Sequence, residues 1–594
     1  MVSPTQVRLE LDATQRLLQS ELGRGTLLVR PPFAEDVEPA TPEQARVLQQ
    51  ASALGYTTVG MGVDPEDWAK PGTDAIVRAV LQQVQDGAGQ VVLLHDAGGN
   101  RAQTVAALPR IIRELRAHGY RLVTVSALAG LSREQVMPPT TGVGAWLTRA
   151  GGFGFGLVTA FGVLLAALFV TGIVLSCLRL AFISVLGLLE AAGRGRQDRD
   201  APGVAAFLVP VTVLVPAFNE ERVILATVAS LLTQGDASQV RVLVIDDGSS
   251  DRTAQVALDA YGTHPQVEVH RVPNGGKASA LNHGLRLART DVVVVIDADT
   301  QLAPGALAAL TRPFADGSVA AVAGNAKVGN RVNLLTRWQA LEYITAQNVE
   351  RRALALLNSV SVVPGAIGAW RRDVLLEVGG FATDTLAEDA DLTLRVLAAG
   401  WRVTYEQRAV AFTEAPQTVR GFLKQRFRWM YGILQATWKQ RGAVRAGQRR
   451  LAFVTLPNVL VFQVVLPLVS ALLDAAMLIS TAWNVQQARF HPDSPGMSGH
   501  VLAFYLLFVG VDLFAGVLAF ALEPGERWSL LLWLPLQRFF YRQLLYVVAI
   551  RATLAALRGG TVGWGKLERL GTVRLGTEGV RQGEPRTGGG AAGD

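Results

Sequence analysis

Residues 151–178 contain no charged side chain, and at about 1.5 Å per residue a helix of this length crosses a hydrocarbon core. The pattern predicts a transmembrane helix within residues 151–190. Arg133 and Arg149 precede the run, whereas Arg179, Arg194, Arg196 and Arg199 lie beyond it, so the charge bias places its C-terminal side in the cytoplasm and its N-terminal side outside. Within 451–557, three further apolar stretches (451–483, 501–522 and 528–557) are each able to span a bilayer or lie along it. Pro457 and Pro467 leave the first open between one kinked span and an interfacial segment followed by a span, because proline removes a rung of the helical ladder. Residues 558–594 are rich in Gly and basic residues without apolar periodicity, so disorder is expected there.

Between the membrane regions, 205–441 reads as a soluble α/β domain. Short apolar runs at 211–215, 240–245 and 292–296 end in acidic or polar residues and alternate with helix-like stretches, the pattern of a parallel sheet with crossover helices. Ligands of such sheets collect beyond the carboxyl ends of the strands. The whole chain has 594 residues, 18% of them charged, and a mean hydropathy of +0.27, which argues against a purely cytosolic enzyme. Its single cysteine, Cys177, excludes an intramolecular disulfide and a cysteine-based zinc module. The net charge of +7 is spread along the chain and flanks apolar runs, so nucleic acid is not an expected partner.

The carboxylates lie where the sheet would place a ligand. Pro216-Ala217-Phe218-Asn219-Glu220 follows the first strand, and Asp246-Asp247-Gly248-Ser249-Ser250-Asp251 the second. A carboxylate followed by Gly and hydroxyl residues suits a ribose, base or phosphate, although Asp-Gly-Ser is equally an ordinary turn. Asn274-Gly275-Gly276-Lys277 opens a helix-like stretch, offering backbone N–H groups and a lysine to an anion, or simply a solvated turn. Asp297 and Asp299 alternate in an extended chain, so both point to one side. Their repulsion is relieved by a hard cation such as Mg²⁺ or Mn²⁺ that also takes diphosphate oxygens; the plainer alternative is an exposed acidic turn. Ala387-Glu388-Asp389-Ala390-Asp391 begins a helix-like segment. Acidic residues are routine in a first turn, yet a carboxylate kept ionised there also serves as a general base. Gln425-Arg426-Phe427-Arg428-Trp429 suits a diphosphate and a sugar face as well as an interfacial helix.

Taken together, these segments resemble the processive family 2 glycosyltransferases, the group of cellulose, chitin, hyaluronan and poly-N-acetylglucosamine synthases. The resemblance covers about 211–557, and Thr413-Glu414-Ala415-Pro416 strengthens it. It implies a GT-A fold and inverting transfer from a UDP-sugar donor to a growing β-linked polysaccharide acceptor, with membrane lipid around the enzyme and accessory secretion proteins as partners. By the same resemblance, Pro216, Asn219, Glu220, Asp247, Lys277 and Asp297 hold the donor, Asp299 binds Mg²⁺ or Mn²⁺, and Asp389 is the base. Glu388, Gln425, Arg428 and Trp429 border the acceptor and diphosphate. Ala387 departs from the family, which often has Thr there. Asp474, Asp512, Gln537, Arg538 and Arg542 lie within apolar segments, where they line a path for the polymer, pair with one another, or, for the two arginines, snorkel.

Residues 1–128 carry a second pattern. Arg30-Pro31-Pro32-Phe33, Asp64-Pro65-Glu66-Asp67-Trp68 and Leu93-Leu94-His95-Asp96 resemble the second half of polysaccharide deacetylases, part of a (β/α)-barrel. That resemblance implies His95 as the acid, Arg30 orienting a base, and Asp67 in the same constellation. The family's metal-binding Asp and His-x-x-x-His pair should precede Arg30, where there is no His and Asp12 lies in a helix-like run. Without three ligands a catalytic metal is not held, so the fragment is expected to be inactive as written, as if the start were assigned too late or the gene truncated. The expectation is a multi-pass bacterial inner-membrane synthase with a cytoplasmic transferase domain and an extracytoplasmic N-terminal fragment. A deacetylase companion favours UDP-N-acetylglucosamine over UDP-glucose. The alternatives are a single-addition transferase acting on a lipid acceptor and a non-catalytic membrane scaffold.

Overall fold

A computed structural model of the chain describes residues 4–31, 42–97, 99–200, 209–235, 239–443, 445–490, 498–523, 525–559 and 571–573. The chain divides into two compact units, Met1–Ala167 with Val485–Ser494, and Leu168–Asn484 with Pro495–Asp594. Phe33 and all of the expected disordered tail except 558, 559 and 571–573 lie outside the described residues.

In the first unit, β1 (Leu28–Val29) pairs in parallel with β2 (Thr57–Thr58), and Val63 bridges Val92 in the same sense. Helices Pro4–Leu22, Pro42–Ala53, Thr73–Gln85 and Ala102–Ala117 accompany them, and Asp12 is helical as its surroundings predict. Ile76, Val77 and Val80 recur at helical spacing and meet Ala107, Ile111 and Leu115 from the next long helix, with Val63 beneath. Pairing two apolar stripes in this way gives a small core of its own. The uncharged run belongs to one helix, Gly142–Asp200, longer at both ends than expected. Phe161, Val163, Leu164, Val170 and Leu178 on it are exposed, the surface a lipid-facing helix presents.

The second unit is built on an eight-stranded mixed sheet. Its strands are β3 (Val211–Ala217), β4 (Val240–Asp246), β5 (Val267–Arg271), β6 (Val292–Val295), β7 (Gln301–Leu302), β8 (Val319–Val328), β9 (Gly368–Arg371) and β10 (Arg402–Thr413), in the spatial order β5-β4-β3-β6-β9-β8-β10-β7. The three runs read from the sequence are β4, β3 and β6, which pair in parallel. Antiparallel β9 then joins β6 to β8. Every residue of β3 is buried, because successive side chains enter opposite apolar layers: Leu214 joins one core, and Val213 and Val215 the other.

Beyond residue 450 the backbone is irregular. A π-helical turn (Leu451–Thr455), a short α-turn (Leu456–Asn458) and a second π-helical stretch (Val459–Val465) precede the regular helix Leu466–Phe490. Pro457 and Pro467 remove backbone donors on either side of the second π stretch. Leu451–Gln486 nonetheless runs as one apolar helical stretch long enough to cross a membrane. Next comes Ser498–Ala521, after which Glu523 and Glu526 pair with Lys327, at 3.0 and 3.2 Å, while Glu526 also meets Arg331 at 2.7 Å. Among the described residues, Ala145–Arg194, Leu451–Gln486 and Trp528–Leu557 are long and apolar enough to cross a membrane.

The last of these is nonetheless held along its length by the sheet domain. Trp338 donates to the Trp533 carbonyl at 3.0 Å and accepts from Gln537 at 3.0 Å, Tyr541 reaches Glu342, and the Arg551 guanidinium lies over Phe427. Of the polar residues within the apolar segments, Asp512 pairs with Arg538 at 2.5 Å and Arg542 at 3.0 Å, and Asp474 accepts from Gln543 at 3.1 Å. Gly571–Val573 return to the sheet domain. The Gly571 amide donates to Glu414 at 3.0 Å, and Thr572 bonds Glu414 at 3.2 Å and Gln417 at 2.7 Å.

Candidate active site

The ends of β3 and β4 meet through side chain to backbone bonds. Pro216 is buried in β3 opposite Ile245. Asn219 just beyond it has a left-handed backbone (φ 55°), which turns its side chain toward the β4 loop. Its Oδ1 accepts from the Ser250 and Asp251 amides at 2.7 and 3.3 Å, and its own amide donates to the Ser249 hydroxyl at 2.8 Å. The Glu220 amide donates to Thr253 at 2.7 Å. Asparagine tolerates this backbone region better than most residues, and the two loops form one rim.

Asp247 is buried, and its two carboxylate oxygens accept from the Gly275 and Gly276 amides, both at 2.9 Å. The sequence offered those N–H groups to an external anion; here the anion they hold is Asp247. Burial raises its carboxyl above the usual range, against the pull of the two amides. Gly276, at φ 85°, turns the chain so that Lys277 begins the helix Lys277–Leu287 and points inward.

Lys277 organises the acidic residues. Its ammonium lies 2.7 Å from Asp297 and 2.9 Å from Glu388. Burial would lower its pKa, but Asp297, Glu388 and Asp389 outweigh burial and hold it firmly protonated. Asp297 is thereby neutralised by a lysine. Asp299, two residues on and buried, instead accepts from the Thr300 and Thr413 hydroxyls, each at 3.3 Å. The two carboxylates expected to share one cation thus have different neighbours. Among the described residues no three His, Cys, Asp or Glu side chains are grouped as a complete metal cage. One or two carboxylates with substrate oxygens completing the shell still suit Mg²⁺ or Mn²⁺, so Asp299, with Asp297 beside it, fits such an ion.

Asp389 occupies the first turn of Glu388–Ala398. Its carboxylate accepts from the Ala390 amide at 2.8 Å and the Gly365 amide at 3.2 Å. Burial and the neighbouring Glu388 push its pKa up to about 6, against Lys277 and the two amides. The helix terminus was expected to keep this group well ionised; burial wins over it, yet at pH 7 the carboxylate form still prevails by about tenfold.

The helix Val419–Lys439 lies against this segment. Gln435 accepts from the Leu386 amide at 3.0 Å, Lys439 pairs with Asp391 at 3.3 Å, and a Cβ on Gly432 would meet that of Ala387 at 2.5 Å. The alanine that departs from the family pattern therefore sits where a glycine lets the helix come close. On the same helix Gln425 is buried, and Arg428 and Trp429 are half-buried. Tyr343 lies against Trp429, ring centroids 6.5 Å apart. In the first unit, buried Asp67 accepts from the His95 amide at 3.0 Å and from Thr104 at 2.8 Å, and lies 2.7 Å from the His95 ring nitrogen. Burial would raise this carboxyl, but the bonds from His95 and Thr104 hold it below the usual range. An Arg30 nitrogen points at the Met61 sulfur, 3.0 Å away.

Sequence reasoning missed Gly365. A Cβ there would lie 2.5 Å from the Lys277 ammonium and 3.5 Å from the Asp297 carboxylate, so any side chain at this position would push the lysine end from its present place among the acids. Nothing local in Pro364-Gly365-Ala366 announces this. Thr413 was noted only as part of a motif, and its contact with Asp299 gives that motif a place.

Residues 209–432 match the family described as glycosyltransferase like family 2, which makes this stretch a glycosyltransferase-like domain. It is similar to poly-beta-1,6-N-acetyl-D-glucosamine synthase of Staphylococcus epidermidis (29% identity over 223 residues) and of Staphylococcus aureus strain COL (30% over 223 residues), in each case over 37% of this chain and 54% of the relative. The chain thus spans about half the length of the curated relatives it matches. Among solved structures, the mannosyltransferase PcManGT of Pyrobaculum calidifontis, in complex with GDP-Man and Mn²⁺, aligns at 20% identity with a TM-score of 0.42, over 64% of this chain and 100% of that one.

Proposed function

We propose that this chain is a membrane-embedded, inverting glycosyltransferase that polymerises UDP-N-acetylglucosamine into a β-linked extracellular polysaccharide. The observation that carries the reading is the meeting of Lys277, Asp297, Glu388 and Asp389 around Gly365, with the base segment packed on the helix bearing Gln425, Arg428 and Trp429. The relatives, named for poly-β-1,6-N-acetylglucosamine synthesis, support an N-acetyl sugar and a β-linked product.

In this reading Asp389 takes the proton of the acceptor hydroxyl as its oxygen attacks the anomeric carbon. The bond from that carbon to the diphosphate breaks on the opposite face, inverting the configuration and releasing UDP. Pro216, Asn219, Glu220 and Asp247 border the nucleotide, and Lys277 and Arg428 offset negative charge on the diphosphate. Mg²⁺ or Mn²⁺ at Asp299, when bound, would neutralise the leaving diphosphate. Trp429 offers a flat apolar surface to the acceptor sugar.

The transferase domain lies in the cytoplasm of a bacterial inner membrane, with the N-terminal segment on the other side. That segment is deacetylase-like. The test is UDP release by purified protein in lipid with Mg²⁺ or Mn²⁺, comparing UDP-N-acetylglucosamine with UDP-glucose and sizing the product. A long product from the N-acetyl sugar is expected. A short or lipid-linked product would favour single addition, and no UDP release from any donor would remove the enzymatic reading.

A further inference from the structure

Arg426 lies between Gln425 and Trp429 and is 5% exposed. Its guanidinium sits over the Trp429 ring, 4.3 Å from the centroid, with Phe422 at 5.3 Å and Tyr343 at 6.0 Å. One terminal nitrogen donates to Glu342 at 2.6 Å and approaches the Tyr541 hydroxyl at 3.4 Å. That hydroxyl donates to the same Glu342 oxygen, and Tyr541 is itself buried, its ring 5.0 Å from that of Phe422. Glu342 closes the helix Leu334–Glu342, and the π-helical Tyr343–Asn348 begins at the next residue.

One cation therefore joins three elements: the helix of Trp429, the Glu342 turn and the long apolar helix Leu534–Leu557. Burying an arginine is tolerable only with its partners in place, so the pose of the guanidinium is fixed by Glu342 and Tyr541. A planar cation stacked on an indole in turn restricts that ring. We propose that Arg426 is a positioning residue that sets Trp429 for the acceptor chain, and that Tyr541 makes this setting depend on the apolar helix. The inference rests on the polymerase reading above. It deepens it by assigning product length to a contact between the catalytic domain and the helix C-terminal to it.

The test uses full-length protein in lipid. Arg426→Lys keeps the charge and loses the flat stack; Tyr541→Phe keeps the ring and loses the hydroxyl, a milder change should the first fail to fold. Donor KM, KM for added N-acetylglucosamine oligomers and product length are measured for each, alone and combined with Trp429→Phe. Arg426→Lys is expected to raise the oligomer KM by about tenfold and shorten the product, with donor KM within about twofold, and Tyr541→Phe to do the same by about threefold. In the Trp429→Phe background neither should add a further effect, because both act through the indole. Unchanged oligomer KM and product length in a folded, active Arg426→Lys, or effects that simply add to those of Trp429→Phe, would overturn the inference alone. Failure of the unaltered protein to release UDP or elongate oligomers would overturn the polymerase reading, and this inference with it.

Discussion

Replacing Lys277 by methionine should move the pH dependence of the reaction, by an amount set by the geometry of the site. The ammonium compensates Asp297, Glu388 and Asp389. Gly365 touches both it and the base, since its amide donates to Asp389 at 3.2 Å and a Cβ on it would lie 2.5 Å from the ammonium. An opposite charge this near lowers a carboxyl pKa by about 1–3 units. With the lysine present the Asp389 pKa is about 6; without it the value rises to about 7 at the least. A base works only when ionised, so activity rises with pH through that value. The assay is kcat/KM for UDP release against pH, which reports the free enzyme. The unaltered protein should show an acidic limb with its midpoint near 6, and the variant a limb at least about one unit higher. At pH 7 the ionised fraction falls from about nine-tenths to about half or less, and any defect that persists on the alkaline plateau measures the lost grip on the diphosphate. An acidic limb that stays in place in a folded Lys277→Met would refute the coupling between lysine and base.

Other outcomes rest on the same geometry. Asp389→Asn should lower polymer formation by about 10²–10⁴-fold, the usual worth of a general base, while UDP-sugar binding measured by calorimetry is retained. Gly365→Ala should displace the Lys277 ammonium and cost about tenfold in kcat, with the melting temperature nearly unchanged; a fully active variant would mean that the lysine has room to move. Chelation should stop UDP release, and Asp299→Asn should raise the Mg²⁺ or Mn²⁺ concentration for half-maximal rate by more than about tenfold. The Asp67 carboxyl is depressed in the fold, so its stabilising effect is complete above the ordinary carboxyl range and fades as pH falls through its lowered value. Hydrogen exchange in the Thr73–Gln85 helix should therefore lose protection in acid in the unaltered protein and much less steeply in Asp67→Asn.

Strand ends and their acidic residues were legible because alternation and apolar runs are local: β3, β4 and β6 fall where the valine runs lie, and Asp247, Asp297 and Asp299 cap them. Which group neutralises which was not legible. Lys277 reaches one acid 20 residues away and another 111 away, and neither partner leaves a trace in its own neighbourhood. Antiparallel β9 was missed because Gly368–Arg371 is four residues long and has no apolar run of its own. That the apolar segment at 528–557 also meets the sheet domain through Trp338 was not legible, because composition alone does not tell a lipid neighbour from an aromatic protein neighbour. The Arg426, Glu342 and Tyr541 cluster joins positions from three separate helices, which only the fold brings together.

The docking of Gly571–Val573 on Glu414 and Gln417 fixes a parity. The polypeptide leaves the catalytic domain near residue 441, meets it again at Glu523 and Glu526 and once more at 571, so any bilayer it threads between two of these contacts is crossed an even number of times. Between 441 and 523, Leu451–Gln486 is long and apolar enough to cross a membrane and Val509–Ala521 is a shorter apolar helix; were the first to cross, this parity would require the second to return. In that case deleting either helix would part Thr572 from Glu414, whereas deleting both together would leave the closing contact intact.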